Sequence, residues 1–373
     1  MFKLLFRAVA RPGVNWKKLH TSIPALCKPK PRVIQNFKDN VHPSAHIKIK
    51  SNVFTTIDSF SIHANLNCDD FQVNLFDKSS GADDGGCEED RKAEAFICVD
   101  DQKENVEVNI QKNDENADIL CEMHIPHNCS IIINSTDSVS IARIFGNILT
   151  VRAEKNIMLR TVRFQNMLIS TECGTVTAEH VLLGGVIKID TKDSNCISLG
   201  NVIGAKMFCK TDAGNISTKS CFVEESNFET NTGNLTLNNL HKSAKVTANK
   251  KSNIDIRGLR GRVQVLGKST GNLNMHMSKI IGESCINCDQ FKNATVFVSD
   301  SILKSVDISV VSDCITLDES LEKQSKGLSS DKKKFDSKGK KSKGKNKLIM
   351  STKQAAMKMG TISWPESILE LKC

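Results

Sequence analysis

The fold of this chain is decided by one recurring stretch, which at residues 228–237 reads FETNTGNLTL. Its centre is a Gly-Asn pair followed by apolar-polar-apolar alternation. Close copies begin at Lys155, Gly214, Gly233, Ser252 and Gly271, and looser copies begin at Asp137, Gly174, Ser194, Lys292 and Asp313. Successive starts lie 18 to 21 residues apart, which is typical of a repeat array.

Each repeat is predicted to hold two short strands and two turns, because a second alternating run such as residues 262–265 lies between successive Gly-Asn pairs. Repeats stacked about 4.8 Å apart satisfy their backbone hydrogen bonds and align equivalent side chains. We therefore expect an all-β chain, folded as a single-stack parallel β-solenoid of about ten coils, each of 19–21 residues. An antiparallel sandwich is the alternative, but it predicts turns every 8 to 12 residues without a strict period. One apolar column of the solenoid is predicted to contain Ile157, Val176, Ile197, Ile216, Leu235, Ile254, Leu273 and Ile315.

The Gly-Asn pair has two predicted roles. A tight turn needs a residue that tolerates positive φ, which Gly adopts freely and Asn nearly so. Stacked Asn side chains can also form a hydrogen-bonded ladder along the solenoid.

The repeats divide the chain into five predicted parts. These are a disordered leader or presequence at 1–38, an irregular β region at 39–130 with an acidic loop at 77–92, the solenoid at 131–320, a Lys-rich disordered insertion at 321–349, and a closing coil at 350–373. The closing coil is predicted because residues 360–364, GTISW, repeat the coil motif after the insertion.

Two segments carry the net charge of +9. Residues 1–38 hold nine Lys or Arg and no acid, and residues 323–347 hold eleven Lys against Asp331 and Asp336, so the rest of the chain carries about 9 − 9 − 9 = −9. An acidic body lacks the continuous basic face that nucleic-acid binding needs.

The N-terminal segment MFKLLFRAVARPGVNWKKLHTS is positive, amphipathic and free of acid. These features are typical of a mitochondrial presequence, whereas a secretory signal would need a longer apolar run. We therefore expect a mitochondrial protein, with secreted and cytoplasmic locations as alternatives. Potential sequons at Asn128, Asn134, Asn215, Asn234 and Asn293 would matter only on the secretory route. No apolar stretch is long enough for a transmembrane helix.

Cysteine and histidine offer two candidate sites. Cys121, His124, His127 and Cys129 have the side chains of a zinc site, but their spacing matches no standard pattern. Cys285 and Cys288 form a single C-x-x-C pair without a partner pair or a following helix. Scattered single cysteines in alternating strands are typical of small buried hydrophobes, so no metal or other cofactor is expected.

Enzymatic activity is not expected. Parallel β-helices can carry paired carboxylates, but Asp190, Asp212 and Asp255 fall on different coils. The chain has no Tyr and only Trp16 and Trp364, so it lacks the usual platforms for sugar stacking. Phosphate loops, nucleophile elbows and dinucleotide fingerprints are absent from the sequence.

The Lys-rich insertion is a candidate for binding anionic lipid or RNA, and its alternative interpretation is a solubilising loop. The basic residues concerned are Lys332, Lys333, Lys334, Lys340 and Lys341.

The stretch at 228–237, with its strand, Thr-x-x-Gly-Asn and alternation, resembles the bacterial putative-adhesin family, a domain of unknown function. The basic leader, residues 123–127 (MHIPH) and residues 357–361 (MKMGT) are similar to uncharacterised animal members of that family. The resemblance covers residues 95–320 and the end of the chain. It implies a β-solenoid, and it implies binding only by analogy.

Three functions follow from these observations. The leading hypothesis is a non-enzymatic β-solenoid scaffold, mitochondrial, whose exposed faces or insertion bind an unknown protein partner. The second is a carbohydrate-active or adhesive β-helix protein on the secretory route. The third is a tether to anionic lipid or RNA through the Lys-rich insertion.

Overall fold

The computed structural model describes residues 32–58, 70–78, 92–193, 195–287, 290–324, 333–339, 345–353 and 356–362. Within these residues all strands belong to one hydrogen-bonded sheet, and none of the helices is long and apolar enough to cross a membrane. The elements are β1 (Arg32–Asn40), β2 (His46–Ser51), β3 (Phe54–Asp58), β4 (Asp70–Asp77), β5 (Ala93–Val99), β6 (Asn105–Lys112), β7 (Ile119–His124), β8 (Ser130–Ser135), β9 (Val139–Ala153), β10 (Ile157–Thr171), β11 (Val176–Thr191), β12 (Ile197–Thr211), β13 (Ile216–Thr230), β14 (Leu235–Asn238), β15 (His241–Ala248), β16 (Ile254–Leu266), β17 (Asn272–Ile280), β18 (Glu283–Asn287), β19 (Asn293–Ser299), α1 (Asp300–Ser305), β20 (Asp307–Val311), β21 (Cys314–Leu317), α2 (Glu319–Gln324), β22 (Lys334–Ser337), β23 (Lys347–Ser351) and β24 (Ala356–Ile362).

The middle of the molecule is a ladder of parallel strands in chain order. β9, β10, β11, β12 and β13 pair successively over almost their whole length. The apolar column predicted from the sequence is confirmed from Ile157 to Leu273, and it continues through Ala294 and Met357 to Ile315. The chain is therefore all-β with a β-solenoid-like arrangement, in which each pass of the chain is called a coil.

Each coil of the ladder has three straight segments, not the two that the sequence predicts. In β10 the alternation of buried and exposed residues breaks at two exposed pairs, Arg160-Thr161 and Gln165-Asn166. Such pairs mark corners, because side chains on a straight strand point to opposite faces in turn. The segments 157–160, 162–164 and 166–171 lie on what we call the first, middle and third faces. The middle segment is so short that its buried residues, such as Leu240 and Leu259, stand in the sequence as isolated apolar residues outside the two alternating runs.

The Thr-x-x-Gly-Asn turn is built differently from the prediction. Gly214 and Gly233 are not among the residues with positive φ. A Cβ on Gly233 would lie 1.7 Å from the carbonyl oxygen of Gly214 in the neighbouring coil, so the glycine is required by close backbone approach. The buried hydroxyl of Thr230 accepts a hydrogen bond from the Gly233 amide at 2.9 Å. Thr171 and Thr211 make the same bond to Gly174 and Gly214.

The predicted asparagine ladder is confirmed. The side-chain oxygen of Asn234 accepts hydrogen bonds from the backbone and side-chain nitrogens of Asn253 at 3.1 and 2.9 Å. Asn253 accepts in turn from the backbone of Asn272 at 2.9 Å, and Asn293 donates to Asn272 at 3.1 Å. Each Asn therefore links one coil to the next.

At both ends of the ladder one coil lies out of chain order. The coil of β2 and β3 lies between that of β6 and β7 and that of β8 and β9. The coil of β23 and β24 lies between that of β18 and β19 and that of β20 and β21. Antiparallel strands cover the outer edges: β5 pairs with β6, β4 with β7, and β22 with β20. These pairings hydrogen-bond backbone groups that a bare parallel edge would expose.

The predicted closing coil is therefore placed wrongly. Residues 356–362 do form a coil strand, but it is enclosed on both sides by other coils. Gly360 does not open this coil, since Met357 occupies the position of Ile315 in the apolar column. Met357-Lys358-Met359 supplies the same in-out-in alternation as the Gly-Asn repeats, without their turn residues.

Two segments predicted to be disordered contain regular structure. β1 begins at Arg32, inside the predicted leader. The predicted insertion at 321–349 includes β22, whose Phe335 is buried against the end of the ladder, and part of β23. Most of the acidic loop at 77–92 lies outside the described residues, as does the rest of the leader.

Candidate binding surface

The four residues of the candidate metal site are part of the packing of the first coils. Cys121 is buried in β7, the strand that His124 ends, and the Cys129 thiol donates to the Pro43 carbonyl oxygen at 3.5 Å. The ring of His127 stacks on that of Phe145 with 4.1 Å between centroids. Burial raises the pKa of the Cys129 thiol to about 12 and also raises the pKa of Cys121, which disfavours the thiolate that zinc requires. Across the described ranges no three His, Cys, Asp or Glu side chains are grouped to hold a metal ion.

The structure describes only some residues of the other two predicted sites, the C-x-x-C pair and the basic loop. Cys285 is half-buried in β18, and Cys288 lies outside the described residues. Of the basic loop, Lys332, Lys340 and Lys341 also lie outside, whereas Lys333 is exposed and Lys334 pairs with Asp336 at 3.0 Å.

The carboxylates considered for catalysis lie on different parts of the coils. Asp190 is exposed on the third face, and Asp212 lies in a turn, where it accepts a hydrogen bond from Asn231 at 3.3 Å. Asp255 lies on the first face and pairs with Arg257 at 2.9 Å. The three carboxylates therefore lie on three different coils.

A row of outward side chains runs along the middle face, with one residue from each coil. Phe145, Arg163, Leu183, Ile203 and Phe222 are in register on successive strands. The ring of His241 stacks on Phe222 with 4.2 Å between centroids, and Arg260 and Lys279 continue the register. We call these eight residues the apolar-basic row: Phe145, Arg163, Leu183, Ile203, Phe222, His241, Arg260 and Lys279. Its seven steps of about 4.8 Å give a length of about 34 Å.

The apolar members of this row are not needed for the core. Phe145, Ile203 and Phe222 are 39%, 41% and 47% exposed, while Ile144, Val202 and Cys221, the residues just before them, fill the interior. Aligned apolar side chains with this exposure form a flat surface that another molecule can cover.

The row is also positively charged. Arg163, Arg260 and Lys279 belong to it, and it contains no carboxylate. Burial lowers the pKa of His241, and the nearby Arg260 and Lys242 lower it further. Burial alone lowers the pKa of His127, which stacks on the first residue of the row.

The third face has a different character. Two of its rows pair opposite charges on successive coils, Lys206 with Glu225 and Lys210 with Glu229. A groove of about 730 Å³ runs along its edge near Lys50, Arg152 and Asp190. A second groove, of about 410 Å³, follows the asparagine ladder beside Asn234 and Asn253. Both grooves are open, and most of the residues along them have amide, hydroxyl or charged side chains.

No protein-family model and no curated protein matches this chain. Three solved bacterial structures are similar to it. A putative cell adhesion protein from Clostridium sporogenes has 10% sequence identity and a TM-score of 0.18, and the match covers 89% of this chain and 100% of that one. A putative adhesin from Parabacteroides merdae has 11% identity and a TM-score of 0.36, covering 72% of this chain and 95% of that one. A putative adhesin from Bacteroides fragilis has 8% identity and a TM-score of 0.30, covering 90% of this chain and 99% of that one. At these identities and TM-scores the likenesses define neither the architecture nor the activity of this chain.

The apolar-basic row was missed in the sequence because its members lie 18 to 20 residues apart. All of them except Lys279 follow the first buried residue of the middle segment, a position that falls between the two alternating runs of the repeat. Reading the repeats in register at that position would have revealed the row.

Proposed function

We propose that this chain is a non-enzymatic β-solenoid scaffold, built as a single stack of coils, that binds a protein partner along the apolar-basic row. The observation that carries the proposal is the register of five outward side chains from Phe145 to Phe222 on successive coils, three of which are exposed apolar side chains. Stacking fixes the backbone of every coil, so such a surface is preorganised and loses little conformational entropy on binding.

The test is proximity labelling by the tagged full chain in cells. The row variant combines Ile203→Ser with Phe222→Ser. The control variant combines Leu168→Ser with Phe208→Ser, which are 38% and 39% exposed on the third face. We expect the row variant to lose its specific neighbours by about tenfold, since central apolar anchors dominate interface energies. Both variants should keep the wild-type circular dichroism spectrum.

Neighbours that persist in the row variant, or that disappear equally in the control, would contradict this function. The same experiment records the compartment, for which the mitochondrial proposal rests on the acid-free leader alone. A glycosidase-sensitive mass shift would show glycan on the potential sequons and would favour the secretory alternative.

A further inference from the structure

The cations of the apolar-basic row have no ion-pair partner within the part of the chain that the structure describes. Among the residues that the structure describes, Arg163, Arg260 and Lys279 make no ion pair. A carboxylate is present beside the row at Glu224, but it pairs with Lys242 at 3.3 Å. The row therefore presents uncompensated positive charge beside apolar surface.

The third face shows how stacking neutralises several other cations of this chain. Lys210 pairs with Glu229 at 3.1 Å and Lys206 with Glu225 at 3.6 Å, in each case across two coils in register. Lys192 pairs with Glu172 at 2.7 Å across the neighbouring turns. The same stacking geometry is available to the row, which nevertheless has no acid at any of its eight positions.

We infer that the segment bound on the apolar-basic row is an acidic amphipathic peptide, whose carboxylates contact Arg163, Arg260 and Lys279 and whose apolar side chains cover Phe145, Ile203 and Phe222. This inference rests on the proposed function and adds the chemistry of the partner. Complementary charge selects the partner and its orientation, and apolar contact supplies most of the affinity.

An anionic membrane or a nucleic acid fits the surface less well. The apolar side chains of the row are about half covered by their neighbours, so they form a flat contact and do not project like a membrane-inserting wedge. Outside its two basic segments the chain carries a net charge of about −9, which opposes a long polyanion that extends beyond the row. A peptide of about 34 Å or less can contact the row alone.

The experiment selects binders of the full chain from a displayed library of random peptides of about 16 residues each. A peptide of this length matches the length of the row when its conformation is between helical and extended. The charge variant combines Arg163→Glu with Arg260→Glu. Its matched control combines Arg152→Glu with Lys245→Glu, which makes the same change of net charge at exposed positions of the third face. Binding of enriched peptides is then measured by fluorescence anisotropy at two salt concentrations.

We expect enriched peptides to combine Asp or Glu with Leu, Ile or Phe. The charge variant should bind them at least about tenfold more weakly, and the control within about threefold of wild type. Peptides in which every acid is replaced by Lys should lose wild-type binding and regain it with the charge variant. Affinity should also fall as salt is raised.

The inference is overturned if the enriched peptides are neutral or basic, if no peptide shows row-dependent binding, or if the charge variant binds as well as its control. It is equally overturned if phosphatidylserine-containing vesicles or single-stranded RNA bind through the row and acidic peptides do not. Loss of cellular neighbours in the row variant but not in its control, without selection of acidic peptides, would preserve the proposed function and refute only the partner chemistry.

Discussion

The middle coils and the end coils of this molecule have the same kind of apolar interior, but the middle coils stack in chain order and the end coils do not. From Ile157 to Thr230 each strand pairs with the strands before and after it in the chain. At the two ends, the coil of β2 and β3 and the coil of β23 and β24 are instead enclosed between coils that lie elsewhere in the sequence. Side-chain alternation therefore sets the register within a coil, whereas the order of coils at the ends depends on how the edges are covered.

The largest expected effect comes from breaking the enclosed coil near the C-terminus. Replacing both Met357 and Met359 by Asp puts two carboxylates into fully buried positions, and each uncompensated charge costs several kcal/mol. The amide protons of residues 307–317 should then lose their protection from hydrogen exchange, and those of residues 283–299 should exchange faster, while residues 157–211 stay protected. Lys358→Asp, on the outward side of the same strand, is the control and should change stability by less than about 0.5 kcal/mol.

This experiment separates the two possible orders. If the coils stacked in chain order, residues 307–317 would pair directly with 283–299, and the substitution would leave the hydrogen exchange of 283–299 unchanged.

A smaller effect is expected at the repeated turn of the middle coils. Gly233→Ala places a Cβ against the Gly214 carbonyl oxygen, so the two coils must separate, at a cost of about 3 kcal/mol. The matched change Gly282→Ala, near the C-terminal end, meets no atom within 4 Å and carries only the strain of a φ of +83°, about 1 kcal/mol. Urea unfolding measures both values. Equal losses would show that the close approach in the middle is not maintained in solution.

The threonine column should contribute less again. Thr211→Val removes a buried hydroxyl that accepts from the Gly214 amide at 3.0 Å and donates to the Asn195 carbonyl at 3.1 Å. We expect a loss of about 1 to 2 kcal/mol, because the buried amide and carbonyl lose a partner. Thr247→Val, outward on the third face, serves as the control and should be nearly neutral in thermal unfolding. If Thr211→Val left the stability unchanged, the turn would be stabilised by backbone packing alone.

The smallest effect concerns the two histidines, one near the first coils and one in the middle. Burial lowers the pKa of both, and Arg260 and Lys242 add to the lowering for His241 only. Their stabilising contribution is fully present above the unfolded pKa of about 6.5, and it is lost as pH falls from that value through the lowered folded pKa. We therefore expect slightly lower thermal stability at pH 5.5 than at pH 7.5.

Nuclear magnetic resonance titration can distinguish the two imidazoles. Salt at about 0.5 M screens the neighbouring cations and should raise the pKa of His241 toward its ordinary value, with a smaller change at His127. Equal responses to salt would show that the positive charge of the row does not reach His241.

Much of the fold could be predicted because the repeat is regular. The column from Ile157 to Leu273 follows from alternation alone, and the asparagine ladder follows from the recurrence of one residue at one position. The middle segment escaped prediction because its one or two buried residues, such as Leu240, are too short a pattern to identify a strand. The candidate surface was missed with it, since Phe145, Ile203 and Phe222 lie on that segment.

The sequence by itself determined the all-β class, the register of the apolar column and the residues of the repeated turn. These are local properties, because side chains alternate along any strand and equivalent residues meet when equal coils stack. Only the tertiary structure decided that Met357 lies between Ala294 and Ile315, and that Phe145, Arg163 and Phe222 form one surface. Those contacts join residues far apart in the chain, and alternation alone is satisfied equally well by other orders of the same coils.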